Sequence, residues 1–248
     1  MKHAFNAVII SALLLVSLTF VPHEASVDMY RWKDSRTNDY LDYWLRIPDI
    51  ECDTLIVFLH GDGEVNNPYG LKNYGIAHQA KEIYGNSHPF VLLMPCTRTY
   101  SWVKGTIPET LIHLIRYTAA KYNCHNVVIT GHSRGAIGAW YMAAEYPNDF
   151  CCCMPISCSA EESDPTKVQC PVLVREADHD YSSKADVQAL REAGGRAKIT
   201  IHYGATHGGM ARGGYDEASF NWMLRWKNTF EPPYVEFKEC TENILTDS

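Results

Sequence analysis

Residues 127–138 read VVITGHSRGAIG, and their reading decides the fold. Val127-Val-Ile-Thr130 suits a strand buried on both faces. Gly131-His-Ser-Arg-Gly135 is a tight glycine-bracketed turn, and residues 135–146 are small and apolar, as a helix packed closely on a sheet should be. A Gly-x-Ser-x-Gly pattern alone is a weak signal. Between a buried strand and a small-residue helix it becomes specific: the turn lifts Ser133 to the strand's carboxyl end with its hydroxyl exposed. The start of the following helix turns amide groups toward the place where negative charge would develop.

Similar apolar runs lie on both sides. Thr54-Leu-Ile-Val-Phe-Leu59 is continuous, and comparable runs occupy residues 90–94, 126–130, 151–156 and 172–174, with a further strand expected over 197–203. An alternating stretch sets Leu41, Tyr43, Leu45 and Ile47 against Tyr40, Asp42, Trp44 and Arg46, and predicts a half-exposed strand. Helical patterns cover residues 107–122, 135–146, 182–193 and 216–226. Thr106, Pro108 and Glu109 supply a cap, a first-turn proline and a capping-box glutamate for the first of these. Gly194-Gly195 stops the third. The alternation predicts an α/β fold with a mostly parallel central sheet and helices on both faces. No linker composition divides the chain, so residues 26–248 are expected to form one domain, with residues 229–248 loosely held.

The chain has 248 residues and a formal charge of −7. That acidic balance excludes general nucleic-acid affinity, which needs a basic face. Lys2 and His3 precede a short apolar run over residues 7–21 and then a polar stretch, the pattern of a secretory signal peptide ending near Ala25. The run is short for a membrane span. The expected protein is secreted or periplasmic, without stable membrane insertion once the signal is removed. Export permits disulfides. The nine cysteines are an odd number, so at least one is free or pairs between chains. Cys151, Cys152 and Cys153 read as small buried residues of a strand. No paired C-x-x-C and no H-E-x-x-H occurs, so no metal site is expected.

A serine hydroxyl needs a base. His202 lies inside an expected strand. His207, in Gly204-Ala-Thr-His-Gly-Gly209 just beyond it, is free to swing toward Ser133. The histidine in turn needs an acid. After the strand at 172–174 come Glu176, Asp178 and Asp180, any of which satisfies the order Ser…acid…His. The alternative for either aspartate is to cap the next helix. An oxyanion site needs the amide of Arg134, next after the serine, and a second amide from His60-Gly-Asp-Gly-Glu64, with Asp62 or its glycine neighbours Gly61 and Gly63 as donors.

Together these residues resemble the α/β-hydrolase superfamily, and within it the esterases and peptidases with a Leu-His-Gly-x-Gly-Glu loop: feruloyl and acetyl-xylan esterases of carbohydrate esterase family 1, polyhydroxybutyrate depolymerase-like enzymes and prolyl-oligopeptidase-like hydrolases. Leu59-His-Gly-Asp-Gly-Glu64 resembles the oxyanion loop, Pro95 with Trp102 the stretch bordering the site, Gly131-His-Ser-Arg-Gly135 the elbow and Gly204-Ala-Thr-His207 the histidine loop. The resemblance implies substrate contacts for Trp102 and Glu64. Aligned without gaps from Pro171, Ala177 falls where the family has glycine and Asp180 falls at the acid, so the resemblance selects Asp180, with Asp178 the runner-up. Arg134 departs from the small or apolar residue usual after the serine. Three roles are open to its charge: a pair with Glu64, an acidic substrate group, or solvent. The implied function is cofactor-free ester hydrolysis, on feruloyl or acetyl groups of plant polysaccharide. The alternatives are a prolyl-oligopeptidase-like peptidase, which would lack its gating propeller here, and a non-catalytic binding protein on the same scaffold.

Overall fold

The computed structural model describes residues 25–228 and 241–245. The expected signal peptide lies outside them. Nine strands and seven helices follow along the described chain: β1 Ser26–Asp34, β2 Asp39–Ile47, β3 Thr54–Leu59, α1 Pro68–Leu71, α2 Ile76–Tyr84, β4 Val91–Cys96, α3 Ile107–Lys121, β5 Asn126–His132, α4 Arg134–Glu145, β6 Cys152–Ile156, β7 Val172–Ala177, α5 Lys184–Glu192, β8 Ala197–His202, α6 His207–Gly213, α7 Glu217–Leu224 and β9 Thr241–Ile244.

The strands form one sheet in the order β8-β7-β6-β5-β3-β4-β2-β1-β9. From β8 to β4 every neighbouring pair is parallel, and β2, β1 and β9 continue the sheet antiparallel. The apolar runs form its centre, where β3, β4, β5, β6 and β7 are buried along their whole length. Their alternate side chains serve two cores. Leu55, Val57, Leu59, Val127 and Ile129 pack with Leu111, Leu114, Trp140 and Leu190 from α3, α4 and α5. Ile56, Phe58, Leu92, Met94 and Val128 pack with Ile76, Ala80, Phe220 and Met223 from α2 and α7. Each such side chain contributes roughly 1.5–3 kcal/mol when fully buried. This double burial is why the strands read as continuous apolar runs.

The structure departs from the sequence reading in several places. β2 is not half-exposed: Trp44 and Arg46 are buried as well as Leu41, Tyr43 and Leu45. The second face is covered at Trp44, whose indole N–H donates to the Pro68 carbonyl of α1 at 2.6 Å. β1 was not anticipated. Its inward residues are Tyr30, Trp32 and a buried aspartate, Asp34, which breaks the apolar pattern. Burial alone would raise the Asp34 pKa, but hydrogen bonds from His113 and Arg36 outweigh it and hold the carboxyl below its ordinary value. β9 was not anticipated either, because residues 241–245 were read as part of a loose tail. Its Glu242 accepts hydrogen bonds from Tyr43, Lys121 and Tyr117, and it pairs with β1. At the start of α3, Thr106 makes no side-chain cap. Its hydroxyl donates instead to Asp39 at 2.6 Å, joining α3 to the start of β2.

Candidate active site

Parallel strands of this kind point their carboxyl ends one way, and β5 delivers Ser133 there. Ser133 has φ 57° and ψ −123°, a conformation that a non-glycine residue holds only when its surroundings enforce it. The enforcement is visible. The Ser133 N–H donates to the Ile156 carbonyl of β6 at 2.9 Å. A Cβ on Gly135 would lie 1.9 Å from the Leu59 carbonyl oxygen, and one on Gly131 would lie 2.3 Å from that of Gly135. Only glycine lets α4 leave the strand this close to β3.

The structure brings Ser133, His207 and Asp180 into one hydrogen-bonded chain. His207 Nε2 is 2.9 Å from Ser133 Oγ. Its Nδ1 is 2.8 and 2.9 Å from the two Asp180 carboxylate oxygens. The Asp180 side chain is 5% exposed, so its charge is little screened by water. This arrangement fixes the tautomer: Nδ1–H donates to Asp180, leaving Nε2 to accept from the serine. Asp178 does other work. Its carboxylate accepts the Gly204 N–H at 3.1 Å, bracing the loop that leads to His207. Neither aspartate caps α5, whose N-cap is Ser183. His207 begins α6 rather than lying in an extended glycine loop, and Thr206 caps that helix by accepting the Gly209 N–H.

The oxyanion loop follows β3. His60 is fully buried and acts as its pin. Its Nδ1–H donates to the Gly61 carbonyl at 2.6 Å, and its Nε2 accepts the Thr97 N–H at 3.1 Å. Burial lowers its pKa to about 4, so the ring is neutral, as those two bonds require. Because a trans peptide points its C=O and N–H oppositely, holding the Gly61 carbonyl on His60 turns the Asp62 amide the other way. Among the described residues, neither the Asp62 nor the Arg134 amide has an acceptor. Gly61 lies close to the serine: a Cβ there would sit 3.4 Å from Ser133 Cβ.

Trp102, an expected substrate contact, is structural instead. Trp102 is 1% exposed, donates its indole N–H to the His60 carbonyl at 3.0 Å and packs over Gly138. It wedges the oxyanion loop against α4. Glu64 is half-buried in the same loop, near Tyr74. Burial raises its pKa, and one carboxylate oxygen is buried without a partner. Arg134 does not pair with Glu64. It pairs with Asp62, at 3.2 and 3.5 Å, and approaches Glu162 at 3.9 Å. Its charge thus clips the elbow to the oxyanion loop, although a pair this exposed contributes under about 1 kcal/mol.

Sequence reasoning passed over His132 and Tyr181. His132 is buried, and its Nε2–H donates to the His207 carbonyl at 2.8 Å. Burial lowers its pKa to about 4. Tyr181 is exposed and sets its ring against His207, with centroids 5.7 Å apart. The only signal for His132 was its place inside the elbow, where many residue types fit. Tyr181 lay beside the two aspartates and carried no pattern of its own.

Ser133, His207 and Asp180 lie together here in one hydrogen-bonded chain, beside two amides that have no acceptor among the described residues. The family model described as "Putative esterase" matches residues 95–222, a little over half of the chain, and those residues contain Ser133, Asp180 and His207. The chain belongs to this esterase family. Among solved structures it is similar to a thermostable esterase, at 25% identity and TM-score 0.70 over 82% of this chain, and it spans 63% of that protein's length. It is similar in fold to a dienelactone hydrolase from Anabaena variabilis (16% identity, TM-score 0.63, 83% of this chain and all of that one). An S-formylglutathione hydrolase from Staphylococcus aureus gives 12% identity and TM-score 0.61, over 82% of this chain and all of that one. Curated protein sequences gave no match. These neighbours share the α/β-hydrolase fold of this chain, and the family to which it belongs is one of esterases.

Proposed function

We propose that the chain is an exported serine esterase that cleaves feruloyl- or acetyl-type esters on plant polysaccharide through an acyl-enzyme. In this reading His207 Nε2 removes the Ser133 proton as Oγ attacks the ester carbonyl. Asp180 orients the ring and stabilises its charged form. The Arg134 and Asp62 amides hold the oxyanion, and His207 protonates the departing alkoxide. Water, activated by the same nitrogen, then releases the acid. One observation carries the reading: the unbroken Asp180–His207–Ser133 hydrogen-bonded chain at a positive-φ serine. The exposed Tyr181 ring beside His207 offers a flat apolar surface suited to an aromatic acyl group. Export rests on the apolar stretch at residues 7–21.

The test compares wild type with Ser133→Ala on p-nitrophenyl acetate, methyl ferulate, acetylated xylan and a prolyl peptide. Wild type should cleave the esters and spare the peptide, and the variant should lose at least about 10³-fold in kcat. Equal rates for the two proteins would end the serine mechanism. Cleavage of the peptide alone would move the activity to peptidases. Cleavage of p-nitrophenyl acetate with neither natural-type ester touched would leave an esterase of another substrate class.

A further inference from the structure

The opposite end of the sheet, where the strands begin, holds a second pair of reactive groups. Cys52 lies two residues before β3 and Cys124 two residues before β5. Those strands pair in parallel with Thr54 opposite Asn126. The register carries on past the strand ends, because the Asp53 carbonyl accepts both the His125 N–H at 2.9 Å and the Asn126 N–H at 3.0 Å. Cys52 and Cys124 therefore stand opposite each other. Neighbouring strands lie about 4.8 Å apart, within the Cα separation of roughly 4.4–6.8 Å that a disulfide needs. The side chains also turn inward: Cys124 belongs to the buried core on this face of the sheet, and Cys52 packs against that core. The Cys124 thiol donates to the Tyr122 carbonyl, 3.6 Å from Sγ.

The two thiols differ in a way that orders a reaction. Cys52 is half-buried and open to solvent on one side, whereas Cys124 is fully buried. Interaction with the Cys124 thiol lowers the Cys52 pKa, and the same interaction, together with burial, pushes Cys124 up. The thiolate is the attacking form, so Cys52 is the entry point and Cys124 the resolving partner.

We infer that Cys52 and Cys124 form a disulfide that staples β3 to β5, made by exchange with an external disulfide of small-thiol or carrier-protein type. The Cys52 proton goes to water, and its thiolate attacks one sulfur of the external disulfide. A mixed disulfide forms and one external thiolate leaves, taking up a proton. The Cys124 sulfur, giving its proton to water, then attacks Cys52 Sγ. The intramolecular bond closes and the second external thiol departs. Two cysteine thiols are oxidised by two electrons, and one external disulfide is reduced to two thiols.

The crosslink joins residues 72 apart in sequence across the middle of the sheet, a loop long enough for substantial stabilisation. Its position is some 20 Å from Ser133, since β5 runs seven residues between them. The inference is thus independent of the esterase reading.

The test uses the full chain, reduced with dithiothreitol, transferred to oxidised glutathione, and trapped in denaturing N-ethylmaleimide. A non-reducing peptide map should show the Cys52 peptide joined to the Cys124 peptide. Tm should rise by about 5–15 °C on oxidation, fall back with dithiothreitol, and show no such shift in Cys52→Ser. Cys52 is half-buried, so this variant is expected to fold; the wild-type map decides the matter independently of any variant. A stable glutathione adduct on Cys52 with Cys124 still alkylated overturns the inference. So do two thiols that both remain alkylated, or an undiminished Tm shift in Cys52→Ser.

Discussion

Two aspartates lie two residues apart after β7, and the structure gives them different tasks. Asp180 holds His207 Nδ1, while Asp178 holds the Gly204 amide. Asp180→Asn should lower kcat by about 10³–10⁴-fold, because an amide no longer enforces the working tautomer. Asp178→Asn should stay within about tenfold of wild type. Steady-state kinetics on p-nitrophenyl acetate read both, and the reverse ranking would transfer the acid role to Asp178. His132 is a positioning residue in the same frame: its Nε2–H holds the His207 carbonyl and its ring lies against the His207 ring, centroids 4.9 Å apart. His132→Ala should reduce kcat by roughly 10–100-fold with KM little changed, as a misplaced base costs rate rather than binding. A change in KM alone would mean that His132 lies on the substrate's path.

At the scale of elements, close approach governs α4 and side-chain ties govern β9. Gly135→Ala puts a methyl group 1.9 Å from a backbone oxygen that cannot move aside. It should destabilise the fold by more than about 3 kcal/mol or abolish soluble protein. Gly63→Ala meets nothing within 4 Å and should stay within about 0.5 kcal/mol of wild type. Urea unfolding distinguishes the two, and equal midpoints would refute the packing account of the elbow. Glu242→Ala should cost about 1–3 kcal/mol in the same assay, because it strands the Tyr43 hydroxyl without its acceptor. No loss would mean that β9 adds nothing to the sheet.

For the whole molecule, pH acts through buried histidines. Burial lowers His60, His88 and His132 to about 4, from an ordinary value of 6.5. Between those limits the unfolded chain binds more protons than the folded one, so the contribution is complete above pH 6.5 and is lost as pH falls toward 4. At pH 5 each histidine accounts for about 2 kcal/mol of lost stability. Asp216, held near 2 by Arg175, adds to the loss below about pH 4. Chemical denaturation at pH 7.5 and 5.0 should show the acid sample markedly weaker, and a flat profile would mean that these rings are not buried neutral in solution.

The amino-acid sequence by itself determined the parallel core of the sheet, the elbow and the triad residue types. Those features are local: a strand buried on both faces is apolar at every position, and a tight turn under a helix requires glycine where the backbones meet. β1 and β9 escaped notice because their polar residues depend on distant partners, Asp34 on His113 in addition to nearby Arg36 and Glu242 on Tyr43 and Lys121. The same reason explains Trp102, for which the resemblance implied a substrate contact: folding brings His60 and Gly138 against it first. The gap-free alignment from Pro171 already singled out Asp180, whereas the pairing of Arg134 with Asp62 and the juxtaposition of Cys52 and Cys124 were decided by tertiary structure alone. Each depends on distances between segments far apart in the chain, and no spacing along the sequence encodes them.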